Sequence, residues 1–229
     1  MIGMDKNVNA YNLASKLSRC LMLALCVLIS FPVDTGSTTI LGYPFFLGRI
    51  NGAPHATDII CLGDSLTQGI GATPGHDYPS LLAKALGMKV INAGVDSDET
   101  EDVLKRLDRD VLSKDPRMVI VLIGGNDYLD GVPRKETLEN LDEIIRRIQA
   151  KGAMVIFAQI GSSYLGDKLQ NKYDQIAVSR RVPVVPKILR DYFFDPTLKS
   201  DRLHPNDKGY EMIAKHILRF VKPLLERHS

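Results

Sequence analysis

The chain contains no tryptophan, and only 7% of its residues are aromatic. This argues against a carbohydrate-stacking platform, which needs flat rings. Three cysteines, at 20, 26 and 61, make no disulfide framework in 229 residues. Charge of one sign is also missing: the net charge is +2. Residues 1–37 hold three bases (Lys6, Lys16, Arg19) and two acids (Asp5, Asp34), leaving 26 bases against 25 acids in the rest. That balance excludes the electrostatic footprint of a nucleic-acid binder and a polybasic membrane patch. No His-x-x-x-His, Cys-x-x-Cys or EF-hand spacing occurs, so no metal site is expected. Residues 69–75 are glycine-rich, but match neither Gly-x-Gly-x-x-Gly nor a P-loop with its lysine. They read as a mobile loop at the entrance to a site, and no cofactor is expected. There is no internal repeat and no low-complexity segment, and nothing indicates an oligomeric state.

The longest apolar run, residues 21–31, is eleven residues long and follows Lys16 and Arg19. As a helix it spans roughly 16 Å, against a hydrocarbon core of about 30 Å. A basic segment followed by such a run fits a secretory signal. The cleavage site is poor, with only Thr35-Gly36-Ser37 in place of Ala-x-Ala, and Leu25 argues against lipoprotein-type cleavage before Cys26. Export to the periplasm or medium leads. An uncleaved membrane anchor and a cytosolic protein with a chance apolar N-terminus are the alternatives. The expected organisation is therefore a leader at 1–37, a linker at 38–57 and one domain at 58–229. Within that domain Cys61 sits in an apolar run and reads as a small core residue.

What remains is ordinary for a globular protein: 45% apolar and 24% charged residues. Short β-branched-rich runs at 58–62, 89–92, 118–123, 154–160 and 182–185 read as buried parallel strands. Between them lie helical patterns at 78–86, 100–112, 136–151 and 165–181, with a last helix at about 206–225 capped by Asn206. Such alternation predicts an α/β fold with a parallel sheet covered on both faces. Ligands bind beyond the carboxyl ends of the strands in these sheets. Ser65, Gly94 and Asn126 each follow the end of a predicted strand, so all three are expected on one rim.

Their chemistry is complementary. Ser65, in Gly63-Asp64-Ser65-Leu66, offers a hydroxyl that needs a base to become a nucleophile. His204, in Asp201-Arg202-Leu203-His204-Pro205, is the candidate base, and Asp201 the carboxylate that orients its ring. His55, His76, His216 and His228 lack a matching carboxylate context. Gly94, through its backbone N–H, and Asn126, through its side-chain amide, are candidate oxyanion donors. Asp64 and Asp127 read as structural carboxylates that tie turns to nearby N–H groups. Taken singly, Ser65 could be a helix cap and Gly94 and Asn126 mere turn residues. Together they are the parts of an acyl-transfer site.

These four motifs, in this order from about residue 58 to 225, resemble the SGNH (GDSL-type) serine hydrolases. The branch holding bacterial thioesterase I, lysophospholipases and arylesterases is the most similar. The resemblance implies a flavodoxin-like three-layer α/β/α sandwich around a parallel sheet of about five strands. It also implies a serine esterase acting on small-molecule or lipid-like esters, or thioesters, through an acyl-enzyme. The Ser65 N–H would be a third oxyanion donor. A carbohydrate O-deacetylase on the same fold is the alternative, followed by a non-catalytic binding module or a nucleotide-binding protein.

Two segments depart from that branch. Asn92-Ala93-Gly94-Val95-Asp96-Ser97-Asp98-Glu99-Thr100 lacks the second glycine of Asn-x-Gly-x-Ser-Gly and carries extra carboxylates. An acidic rim is expected to disfavour anionic acyl carriers such as coenzyme A. Gln159-Ile160-Gly161-Ser162 replaces an Arg-Leu-Pro-type stretch, so substrate preference does not carry over.

Overall fold

The computed structural model describes residues 57–161, 167–189 and 195–226, the side chains of 167–170 excepted, together with residues 39–40 and 43–44. The expected leader at 1–37, with its apolar run at 21–31, lies outside the described residues. The chain divides into two units, Met1–Pro44 and Phe45–Ser229. In the first, Thr39–Ile40 and Tyr43–Pro44 pair antiparallel, within a stretch expected to be linker. β-branched and aromatic residues flanking a two-residue gap suit such a pairing.

The second unit is an α/β fold. Five strands, β1 (Ile59–Gly63), β2 (Val90–Gly94), β3 (Met118–Leu122), β4 (Met154–Ala158) and β5 (Val184–Val185), form one parallel sheet in the order β2-β1-β3-β4-β5. The order reverses between β1 and β3, so a crevice opens beyond their carboxyl ends. Registers Gly63↔Gly94 and Gly63↔Leu122 bring the ends of β1, β2 and β3 level. This is why three separated motifs share one rim.

β1, β3 and β4 are buried at every residue, as continuous apolar runs covered on both faces must be. Each fully buried Ile, Val or Leu contributes roughly 1.5–3 kcal/mol. β2 is an edge strand and only half-buried. Cys61 is fully buried in β1, and burial pushes its thiol pKa up. It is a core residue.

Among the described residues, the α-helices of this unit are α1 (Ser65–Gln68), α2 (Tyr78–Leu86), α3 (Thr100–Asp110), α4 (Gly125–Asp130), α5 (Arg134–Ala150), α6 (Asp167–Arg180) and α7 (Asp207–Glu226). α2 packs on α7, while α3, α5 and α6 pack side by side. The α5 stripe of Leu141, Ile144, Ile145 and Ile148 is buried, as its period requires. Asn206 caps α7, its Oδ1 accepting from Gly209 N at 3.2 Å. The two short helices, α1 and α4, were expected only as turns. Each is too short to show a hydrophobic period. Among the described residues, no helix is long and apolar enough to cross a membrane.

Candidate active site

Ser65 opens α1 directly after β1. Asp64 is the N-cap, and its Oδ1 accepts from Leu66 N at 3.0 Å. Such a cap satisfies an orphan N–H and fixes the strand-to-helix turn. The Ser65 N–H, at the first position of this helix, is committed to no other group among the described residues. Asp64 is 3% exposed, and burial pushes its carboxyl up to about 7 against the pull of the Leu66 bond.

His204 comes from the far end of the chain, in the loop before α7. Its Nε2 lies 3.1 Å from Ser65 Oγ, and its Nδ1 lies 2.8 Å from Asp201 Oδ2. Asp201 Oδ1 accepts from Leu203 N at 2.7 Å and His204 N at 2.8 Å. The backbone His204 bond, then the ring bond and the Leu203 bond, hold the Asp201 carboxyl down at about 2. Hydrogen bonds keep it ionised without burial, since its side chain is 52% exposed. Ser65, Asp201 and His204 are thus brought together in one hydrogen-bonded line.

The expected oxyanion donors present a mixed picture. Gly94 N donates to Asn92 Oδ1 at 2.9 Å, so that N–H is already engaged. A Cβ at Gly94 would stand 2.1 Å from Gln68 N, so the glycine lets β2 approach the backbone of α1. Asn126, on α4, donates through Nδ2 to Asp98 O at 2.9 Å. An amide nitrogen carries two hydrogens, so one N–H of Asn126 remains. Asp127 is buried and binds Thr100 through N (3.0 Å) and Oγ1 (2.5 Å), the structural part expected of it.

The loop that follows Gly94 differs from its expected character. Ser97 stands where the second glycine would, and takes glycine's left-handed backbone at φ 64°. Asp98 turns inward, away from the acidic rim. Its Oδ2 accepts from Arg106 Nε at 2.6 Å, while Arg106 Nη2 donates to Gly63 O at 3.0 Å. Both side chains are nearly buried, and desolvation raises the Asp98 pKa while the guanidinium opposes it. The pair staples this loop to the end of β1. Asp96, Glu99 and Asp130 have no basic partner among the described ion pairs.

The model of the GDSL-like lipase/acylhydrolase family matches residues 61–212, a span that begins in β1 beside Ser65 and ends in α7 beyond His204. The chain belongs to this family. It is 28% identical over 186 residues to thioesterase 1/protease 1/lysophospholipase L1 of Escherichia coli K12, covering 77% of this chain and 89% of that one. It is 31% identical over 192 residues to an arylesterase of Vibrio mimicus, covering 78% and 94%. Among solved structures, the esterase EstA of Pseudoalteromonas superposes with a TM-score of 0.66 at 26% identity, covering 74% of this chain and 99% of that one. The chain is therefore an esterase-type hydrolase of carboxylic esters.

Residues the motifs did not flag complete the surroundings of this family site. Leu66, Leu129, Ile160, Leu189 and Leu203 line a narrow crevice with Ser65 and Asn126, with about 20 Å³ of enclosed room. Leu129 is 52% exposed on a short helix, a placement that only the structure reveals. Asn92 and Gln68 were also missed. Gln68 Oε1 accepts from Asp96 N at 2.5 Å, and nothing local in the sequence announces it. Of the competing histidines, His216 bonds Pro186 O at 2.8 Å, while His55 and His228 lie outside the described residues. His76 does have a carboxylate nearby, Asp207, at 4.0 Å.

Proposed function

We propose that the chain hydrolyses small or lipid-like acyl esters by a Ser65–His204–Asp201 triad. One observation carries this reading: Ser65 Oγ, both ring nitrogens of His204 and Asp201 Oδ2 stand in sequence at 3.1 and 2.8 Å. Asp201 accepts the Nδ1 proton and so selects the tautomer whose Nε2 can take the Ser65 proton. Ser65 Oγ then attacks the ester carbonyl carbon. The carbonyl oxygen gains the charge, facing the Ser65 N–H and the remaining Asn126 N–H. Gly94 N–H joins them by exchanging Asn92 Oδ1 for the substrate oxygen. Collapse breaks the bond to the leaving group, which takes the proton from His204. Water, activated by His204, attacks the acyl-enzyme and releases the acid.

The five apolar side chains of the crevice support an acyl group on that side of Ser65. The relatives' names, thioesterase, lysophospholipase and arylesterase, support acyl esters or thioesters. Asp96, Glu99 and Asp130, with no basic partner among the described ion pairs, favour neutral leaving groups over an anionic carrier. The apolar run at 21–31 supports export or membrane association.

The test is hydrolysis of p-nitrophenyl esters from acetate to palmitate by residues 38–229, with Ser65→Ala alongside. Loss of activity in the variant supports the serine esterase, and the optimum separates a deacetylase from a lipid-type hydrolase. Equal rates in both proteins would sink Ser65 as nucleophile.

A further inference from the structure

We propose that residues 69–76 form a strut that sets the distance between Ser65 and His204, with Thr73 and Asp207 as its positioning residues. The proposal rests on the triad reading above. Ser65 and His204 belong to separate elements, α1 and the loop before α7. That loop is internally stiff: Ser200 N donates to His204 O at 3.0 Å, and Lys199 bridges Pro205. Internal bonds give the loop its shape but do not place it against α1.

The glycine-rich segment does. Both Gly69 N (2.9 Å) and Ile70 N (3.1 Å) donate to the carbonyl of Ser65 itself. One residue later the segment meets the His204 loop. Gly71 has φ 91°, and a Cβ there would lie 2.0 Å from Ser200 Oγ and 2.5 Å from Pro205 O. Two residues of α7 then hold the segment from the other side. Tyr210 Oη donates to Ile70 O at 2.8 Å. Asp207 accepts twice from Thr73, from N at 2.7 Å and from Oγ1 at 2.8 Å. His76 Nδ1, 2.9 Å from Thr73 Oγ1, is placed to donate back to it. The Thr73 bonds keep the Asp207 carboxyl below the usual range.

A stretch that reads as a mobile entrance loop is thus bonded at one end to the nucleophile's own backbone, and at the other to the first turn of α7, just after the base. Proton transfer between serine and imidazole is steep in distance, and misplacing reacting groups by about 1 Å costs on the order of a hundredfold. Thr73 and Asp207 act through backbone, on the 3.1 Å separation of Ser65 and His204.

The test uses a fluorophosphonate, which labels an activated serine without needing the right acyl group. Labelling rates are measured for the wild type, Thr73→Val and Thr73→Ser, with Ser65→Ala as blank, beside kcat and KM for p-nitrophenyl acetate. Thr73→Val is expected to slow labelling by about tenfold or more and to lower kcat by the same factor, with KM within about twofold. Thr73→Ser should restore both. Gly71→Ala should act in the same direction; if it does not fold, Thr73→Val decides alone. Labelling of Thr73→Val within twofold of wild type would overturn the strut and leave the triad standing. A loss that Thr73→Ser does not restore would also overturn it. An unlabelled wild type would overturn the triad and the strut together.

Discussion

His204 Nε2 lies 3.1 Å from Ser65 Oγ, although 139 residues separate the two in the chain. β1 ends two residues before the first and α7 begins three residues after the second, so this contact depends on how the last helix returns to the rim of the sheet. Each partner is positioned by its own neighbour: Asp64 caps the turn under Ser65, and Asp201 holds the ring of His204.

Asp201→Asn probes the ring's tautomer. An amide can turn its NH₂ toward His204 Nδ1, which moves the ring proton to Nε2 and blocks acceptance from Ser65. The expected loss in kcat is about 10⁴-fold. The side chain is half exposed, so the melting temperature should barely move. A loss below tenfold would remove Asp201 from the proposed triad.

Asn126→Ala removes a proposed oxyanion donor and the bond to Asp98 O. The expected loss is about 10²–10³-fold in kcat with KM little changed. Steady-state kinetics decide it: a rise in KM alone would make Asn126 a substrate contact without a transition-state role.

Asp64→Asn tests a buried acid. The folded carboxyl is pushed up to about 7, whereas an unfolded aspartate ionises near pH ~4. Between those values the unfolded chain releases a proton that the folded protein keeps, so this residue's contribution to stability falls as pH rises. Asparagine retains an oxygen for Leu66 N and does not ionise. Urea midpoints should therefore diverge in favour of the variant from about pH 4 to 7 and run parallel above. A constant gap across that range would mean that Asp64 ionises normally.

Gly94→Ala tests the approach of β2 to α1. The added Cβ would meet Gln68 N at 2.1 Å and Thr67 C at 2.5 Å, both backbone atoms that cannot rotate away. Overpacking of this kind costs roughly 1–3 kcal/mol. Chemical denaturation measures it, and an unchanged midpoint would show that the two backbones have room to part.

Much of the fold was legible from local pattern alone. β1, β3 and β4 are apolar runs because both their faces are covered, and α2 and α5 carry a helical period because one face is. Asp127 was read as structural, and Thr100 is the partner it ties down. α1 and α4 escaped because four and six residues are too few to carry a period. Gly94 was expected as a donor, yet its N–H meets Asn92, a choice made by a side chain two residues away. Asp98 was counted into an acidic rim, yet Arg106, eight residues on, draws it inward.

The sequence by itself determined the alternation of strands and helices and the order of the four motifs, and it singled out Ser65, His204 and Asp201 as candidates for one chemistry. Periodicity and residue type are local, and they survive in one dimension. Only the tertiary structure decided that Thr73 bonds Asp207 across 134 positions and that Tyr210 bonds Ile70 across 140. α7 also packs back onto α2, so the two ends of the fold meet at more than this one segment. Hydrogen bonds of that kind leave no pattern along the chain, since either partner alone is an ordinary polar residue in a loop or helix.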